Sequence, residues 1–296
     1  MRSNLIPTCA ALMGFCLVVA PWTAGAVTTI NAVNNDAYGA NIGWMNARGD
    51  VTNGLVVGEA FCSGYLYGGN VGWIDMGDGS PANGLSYSNI ASNDYGVNIE
   101  PSGALRGFAY GANIGWVNFE GMGDPAVDLL TGNLGGFAYG ANVGWISLSN
   151  MMGHVQTDSL DPGPDTDGDM LPDAWELSYT NSLPALSMDG DSDNDGATDK
   201  EEYLADTDPL DSGSLFVITD KMLDPSMAEA DVTWNSVPTR LYRVEFNTDP
   251  TNPSGWVDSG LGDQAPDAGI QTTRTVPIGG PDVENYRVNA IQPLAP

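Results

Sequence analysis

Gly107-Phe-Ala-Tyr110-Gly-Ala-Asn113-Ile-Gly115-Trp116-Val-Asn-Phe119 is the stretch on which the fold turns. Its centre, Tyr-Gly-x-Asn-x-Gly-Trp, occurs four times, ending at Trp44, Trp73, Trp116 and Trp145. A partial copy, Tyr95-Gly-Val-Asn98-Ile99, lacks the Gly-Trp. The tryptophans stand 29, 43 and 29 residues apart, and repeats of this length mark stacked or symmetric supersecondary units. Phe-Ala-Tyr and Trp-Val-Asn-Phe are rich in strand formers. The Gly-Ala-Asn-Ile between them carries turn residues and no charge. The spacing therefore predicts a β-hairpin for each copy. One unbroken strand is disfavoured, because interior glycine weakens a strand.

Further short strands are expected at 54–57, 95–99 and 126–130, with turns at Pro101-Ser-Gly103 and Thr131-Gly-Asn133. No helical period of useful length appears. Residues 27–150 thus read as an all-β domain, whether sandwich, prism or solenoid. Two roles are open to the repeated aromatics. Trp and Tyr can fill the core between layers while Asn holds the turn. Alternatively, the aromatic faces stack on sugar rings and the Asn amides bond sugar hydroxyls. Repetition favours the core role, since every unit must bury the same surface.

A second stretch has a different chemistry. Between Asp158 and Asp211 there are seventeen acidic residues and one basic residue, Lys200. Carboxylates packed that closely repel one another unless a cation offsets them. In Asp191-Ser-Asp193-Asn-Asp195-Gly196-Ala197-Thr-Asp199-Lys-Glu-Glu202, oxygen side chains fall at positions 1, 3, 5, 9 and 12, with Gly at 6. That is the ligand spacing of a twelve-residue calcium loop, Ala197 lending its carbonyl at position 7. Asp199 is placed to bind directly or through water. Asp165, Asp167, Asp169, Asp173 and Glu176 repeat the spacing, but Met170 occupies position 6. A non-glycine residue there makes the turn costlier, so a different path or weaker affinity is expected for this first loop.

The paired loops, followed by Glu201-Glu-Tyr-Leu-Ala-Asp-Thr-Asp-Pro-Leu-Asp211, resemble the bacterial thrombospondin type 3 repeat and related EF-hand-like repeats of secreted proteins. The resemblance covers residues 158–213. It implies calcium at both sets of acids and a stiff spacer between modules. Helices are expected to start at Pro172-Asp173 and at Asp199. The apolar cluster of Trp175, Leu177, Tyr203 and Leu204 is too small to fold without ions, which couples calcium binding to folding.

Residues 1–26 have the pattern of a Sec-type signal peptide: Arg2, an apolar run from Leu5 to Ala20, and Ala24-Gly25-Ala26 as the cleavage site. That pattern implies a secreted, extracellular or cell-surface protein. Cleavage would leave one cysteine, Cys62, read as a small buried residue. No later stretch is long and apolar enough to cross a bilayer. The net charge of −29, with nine Lys and Arg, excludes nucleic acid as a partner. Residues 151–164 read as a linker, with His154 solvated. Residues 214–296 read as a β-sandwich of the immunoglobulin or fibronectin type III kind, from alternating strands near 215–218, 230–234, 241–246, 255–257, 272–277 and 286–290.

No nucleophile, zinc or phosphate motif is present. The reading that follows is a secreted, non-enzymatic calcium-binding modular protein, with calcium stiffening the joint between two β-domains. Its role would be structural, surface or adhesive, with a glycan, a cell-surface protein or further copies of itself as partner. The alternatives are a carbohydrate-binding protein using the repeated Tyr, Trp and Asn, and a hydrolase with a cryptic carboxylate pair.

Overall fold

The computed structural model describes residues 27–49, 51–223, 229–249, 251–252, 254–278 and 285–296. The signal-peptide reading of residues 1–26 lies outside them. The described residues are mainly β, with two short α-helices. Among the described residues, no helix is long and apolar enough to cross a membrane.

Each full copy of the motif folds as a hairpin. The pairs are β1 (Ile30–Gly39) with β2 (Gly43–Asn46), β3 (Tyr65–Gly68) with β4 (Gly72–Asp75), β5 (Leu105–Gly111) with β6 (Gly115–Asn118), and β7 (Phe137–Gly140) with β8 (Gly144–Ser147). In each, Tyr lies opposite Trp and the two glycines lie opposite each other. Successive hairpins pair edge to edge, β2 with β3, β4 with β5 and β6 with β7. Pairing of β8 with β1, Gly39 opposite Ile146, closes the ring. The result is an eight-stranded antiparallel barrel, which leaves none of these strands as an edge. It is neither sandwich, prism nor solenoid, the three forms expected.

The motif explains its own turn. The amide of Ile114 donates to the carbonyl of Gly111, and Gly115 takes φ +78. A turn followed by a left-handed glycine is the three-residue hairpin loop. The other Gly-x-Asn-Ile/Val loops repeat this bond, and Gly43, Gly72 and Gly144 also have positive φ. Ile42, Val71, Ile114 and Val143 are buried. Each folds back over the first glycine of its own loop, where an added Cβ would lie 2.5–2.7 Å from the aliphatic side chain. The four aliphatics therefore close one end of the barrel.

The asparagines link the hairpins. Asn70 Nδ2 donates to the carbonyl of Ile42, Asn113 to Val71, Asn142 to Ile114 and Asn41 to Val143, at 2.9–3.0 Å. Each turn is thus tied to the next, and the fourth to the first.

Strand alternation sends Ala37, Met45, Leu66, Ile74, Ala109, Val117, Ala138 and Ile146 inward, where all are buried. Tyr and Trp point outward. Trp44, Trp73, Trp116 and Trp145 are 43–44% exposed, which overturns the core role expected for them. The interior of an eight-stranded barrel admits side chains of modest size, and alanine, methionine and branched aliphatics fill it. Cys62 is buried in this domain, and burial pushes its thiol up to about 12, so it behaves as an inert apolar group.

The expected linker is partly structured. β9 (Gly153–Thr157), which includes His154, pairs with the first half of β1. Next come α1 (Asp173–Tyr179) and α2 (Asp199–Ala205). The C-terminal part contains β10 (Ile218–Leu223), β11 (Glu229–Asn235), β12 (Leu241–Asn247), β13 (Val257–Gln264), β14 (Gln271–Pro277) and β15 (Asn285–Ile291). They form two three-stranded sheets, ordered β10-β11-β14 and β13-β12-β15. Val232, Trp234, Tyr242 and Val244 share one core between them. The first and fourth of these strands begin later than the sequence suggested, at 218 and 257.

Candidate metal centre

The two acidic loops fold alike despite their different glycines. Loop one has positive φ at Gly168 and Met170; loop two has it at Asn194 and Gly196. These are positions 4 and 6 of each loop, so the paths match and Met170 carries the cost of a left-handed backbone. The different path expected for loop one is not seen. In both loops the position-1 carboxylate turns the chain. Asp165 accepts from the amides of Gly168, Asp169 and Met170, and Asp191 from those of Asp195 and Gly196.

Asp165, Asp167 and Asp169 each bring a carboxylate oxygen within 4.8 Å of the other two, and Asp191, Asp193 and Asp195 do the same. Either triplet could hold a metal ion. Behind each stands a buried glutamate from the following helix. Glu176 and Glu202 are 0% exposed. Both oxygens of Glu176 and Oε2 of Glu202 have no hydrogen-bond partner, nor do Oδ2 of Asp169, Asp193 and Asp195. Leaving one buried carboxylate oxygen unsatisfied is costly, and here five acids share the condition around two centres. Burial, reinforced by Asp169 and Asp167, pushes the Glu176 carboxyl up to about 8. Burial, with Asp193 and Asp195, pushes Glu202 up to about 7. A divalent cation in each centre would supply the missing partner.

The position-9 acids do something else. Asp173 accepts from the amide and hydroxyl of Thr166. Asp199 accepts from the amides of Ser187 and Ser192 and from the Ser192 hydroxyl. Both are buried and belong to neither triplet.

The loops also set the joint. On α2, Glu202 faces the second centre while Tyr203 reaches the barrel domain, its hydroxyl 2.8 Å from Oε1 of Glu59. Gln292, from the end of the chain, donates to the same carboxylate. Burial raises the Glu59 carboxyl, opposed by the Tyr203 bond and by Arg240. Arg240, on the C-terminal side, donates from Nη2 to the carbonyl of Tyr203 and from Nε to that of Leu204, at 2.9 and 2.8 Å. A cation at a helix C-terminus complements the free carbonyls there. On the other flank, Ala174 of α1 packs with Phe61 and Tyr87 of the barrel domain. A cavity of about 500 Å³ lies where the three parts meet, bordered by Glu59, Trp175, Tyr203 and Arg240.

Tyr203 stands out in the sequence only as part of a small apolar cluster; its bond to Glu59 is not visible there, because the two are separated by 144 residues and Glu59 lies in no motif. No protein-family model, no curated protein and no solved structure matches this chain.

Proposed function

We propose that this is an exported, non-enzymatic calcium-binding modular protein in which two ions brace the joint between the barrel and the C-terminal sheets. The observation that carries the reading is the pair of fully buried glutamates, Glu176 and Glu202, left with unpartnered oxygens beside three-aspartate clusters. All-oxygen sites of this kind suit a hard cation, and the spacing favours calcium over magnesium, which keeps more of its water.

The ligands are Asp165, Asp167, Asp169 and Glu176 in one centre, and Asp191, Asp193, Asp195, the Ala197 carbonyl and Glu202 in the other. Asp173 and Asp199 act as braces for their loops, since their oxygens already hold backbone amides. The thrombospondin type 3-like character of the segment and a fibronectin-like reading of the C-terminal sheets accord with this modular arrangement. Calcium at the second centre fixes the start of α2, and α2 holds Glu59 on one side and Arg240 on the other. The ion thereby sets the angle between two β-domains.

Calcium titration by calorimetry tests the reading. Two bound ions are expected, with one lost in Glu202→Gln and the other in Glu176→Gln. Absence of binding to the folded chain would sink it.

A further inference from the structure

Within the motif Tyr-Gly-x-Asn-x-Gly-Trp, the fold uses every fixed residue except the two aromatics. The glycines make the loop, the asparagine ties it to its neighbour, and the aliphatic residue closes the barrel end. Tyr and Trp remain on the outer wall. In all four copies their rings stand 4.7–5.0 Å apart and are inclined at 54–63°. The tyrosines are 37–42% exposed and the tryptophans somewhat more. A cross-strand pair of this kind stabilises each hairpin, and it also leaves the same outward aromatic surface at four places.

We propose that these four pairs are binding sites for a neutral polysaccharide. Three observations choose this occupant. First, the Tyr–Trp pairs are alike in residue, register and ring geometry, while Trp73, Trp116 and Trp145 also meet Tyr65, Tyr95 and Phe137 edge-on. A ligand that presents one feature repeatedly can engage several of them, whereas a protein partner or a second copy offers a single patch. Second, the net charge of −29 repels nucleic acid, anionic membrane and acidic glycans, and the Tyr and Trp rings themselves carry no charge, which suits an uncharged polymer. Third, two residues beyond three of the tryptophans, on the same face, stands a partly exposed polar side chain, Asn46, Asp75 or Asn118; in the fourth copy Ser147 is buried and bonded to the Ser149 carbonyl. An aromatic face beside an amide or carboxylate matches a pyranose, whose C–H face is apolar and whose rim carries hydroxyls. The inference is independent of the calcium sites, which lie outside the barrel.

Native gels containing hydroxyethyl cellulose, xyloglucan, galactomannan or mixed-linkage β-glucan, with alginate as the anionic control, provide the test on the full chain in calcium. At least one neutral polymer should retard the protein. Single Trp→Leu changes at Trp44, Trp73, Trp116 and Trp145 should each weaken retardation about three- to tenfold, since linked weak sites multiply, and the quadruple change should abolish it. Near-ultraviolet circular dichroism and calcium binding establish that each variant is folded; if the quadruple variant fails this check, the single variants decide. Retardation by no neutral polymer, by alginate alone, or equally in folded variants would overturn the proposal. So would a concentration-dependent oligomer, seen by size-exclusion chromatography, that the same changes abolish, for it would assign the face to a second copy.

Discussion

The hydroxyl of Tyr203 donates to both oxygens of Glu59, at 2.8 and 3.0 Å, joining α2 to the barrel domain. Tyr203 immediately follows Glu202, the acid that closes the second loop. A single peptide bond therefore connects an ion site to a domain contact. Tyr203→Phe keeps the ring and removes the bond. A hydrogen bond to a charged group contributes about 1.5–3 kcal/mol, so the joint should loosen by that order. Small-angle scattering in calcium should show a broader distribution of dimensions than the parent; an unchanged profile would count against the contact.

Chelation should loosen the segment around both loops. Cleavage by a nonspecific protease within 165–211 is expected to rise sharply in EGTA and to be restored by calcium, because the apolar cluster of Leu171, Leu186 and Tyr203 is small. The barrel should resist cutting in both conditions. Mass spectrometry of the fragments would locate the sites, and equal cutting with and without EGTA would contradict the coupling.

The buried glutamates make the apo protein sensitive to pH. Their folded pKa values, about 8 and about 7, lie above the ordinary value of 4.5. The stability they contribute is full below 4.5 and is lost as pH rises through 7 and 8, where both must ionise without a partner. Calcium reverses the preference, since it binds the ionised form. Uptake near pH 6.5 should release protons, and affinity should rise about tenfold per pH unit below each pKa. Calorimetry in two buffers of different ionisation enthalpy checks this; identical heats would refute it.

Met170 holds φ +75 where the second loop has Gly196. A left-handed non-glycine residue costs about 1–2 kcal/mol, offset in Met170→Gly by the greater freedom of glycine in the unfolded chain. The net gain is about 1 kcal/mol, equivalent to roughly fivefold tighter calcium binding at the first centre. Titration of this variant with the second centre disabled by Glu202→Gln isolates the effect.

Asn113→Ala removes one link between hairpins and leaves the Val71 carbonyl without its partner. About 1–3 kcal/mol should be lost, measured by thermal melting of the tryptophan circular dichroism signal. Trp116→Leu, at an exposed position, should cost less. The opposite ranking would return Trp116 to a core role.

The hairpins, the two helix starts and the acid spacing could be read from local pattern alone. What escaped depends on distant contacts. Ring closure rests on Gly39 meeting Ile146, and nothing near either residue announces it. The outward direction of Trp116 follows from barrel width, a property of the whole ring: once Ala109 and Val117 face in, their neighbours must face out. Asp199 fitted a ligand position by count, but the fold turned it toward Ser187 and Ser192, and Ser187 precedes the loop.

The four asparagine links have a consequence for how such a chain can change. Each hairpin gives one amide to a neighbour and receives one from the other side. A solenoid lengthens freely, because a new unit simply extends the stack. Here an added or deleted hairpin would alter the circumference of a closed ring, so that the links on either side could no longer keep their present geometry. Variation should therefore enter through the connections between hairpins, which already differ in length, while the number of hairpins stays locked at four.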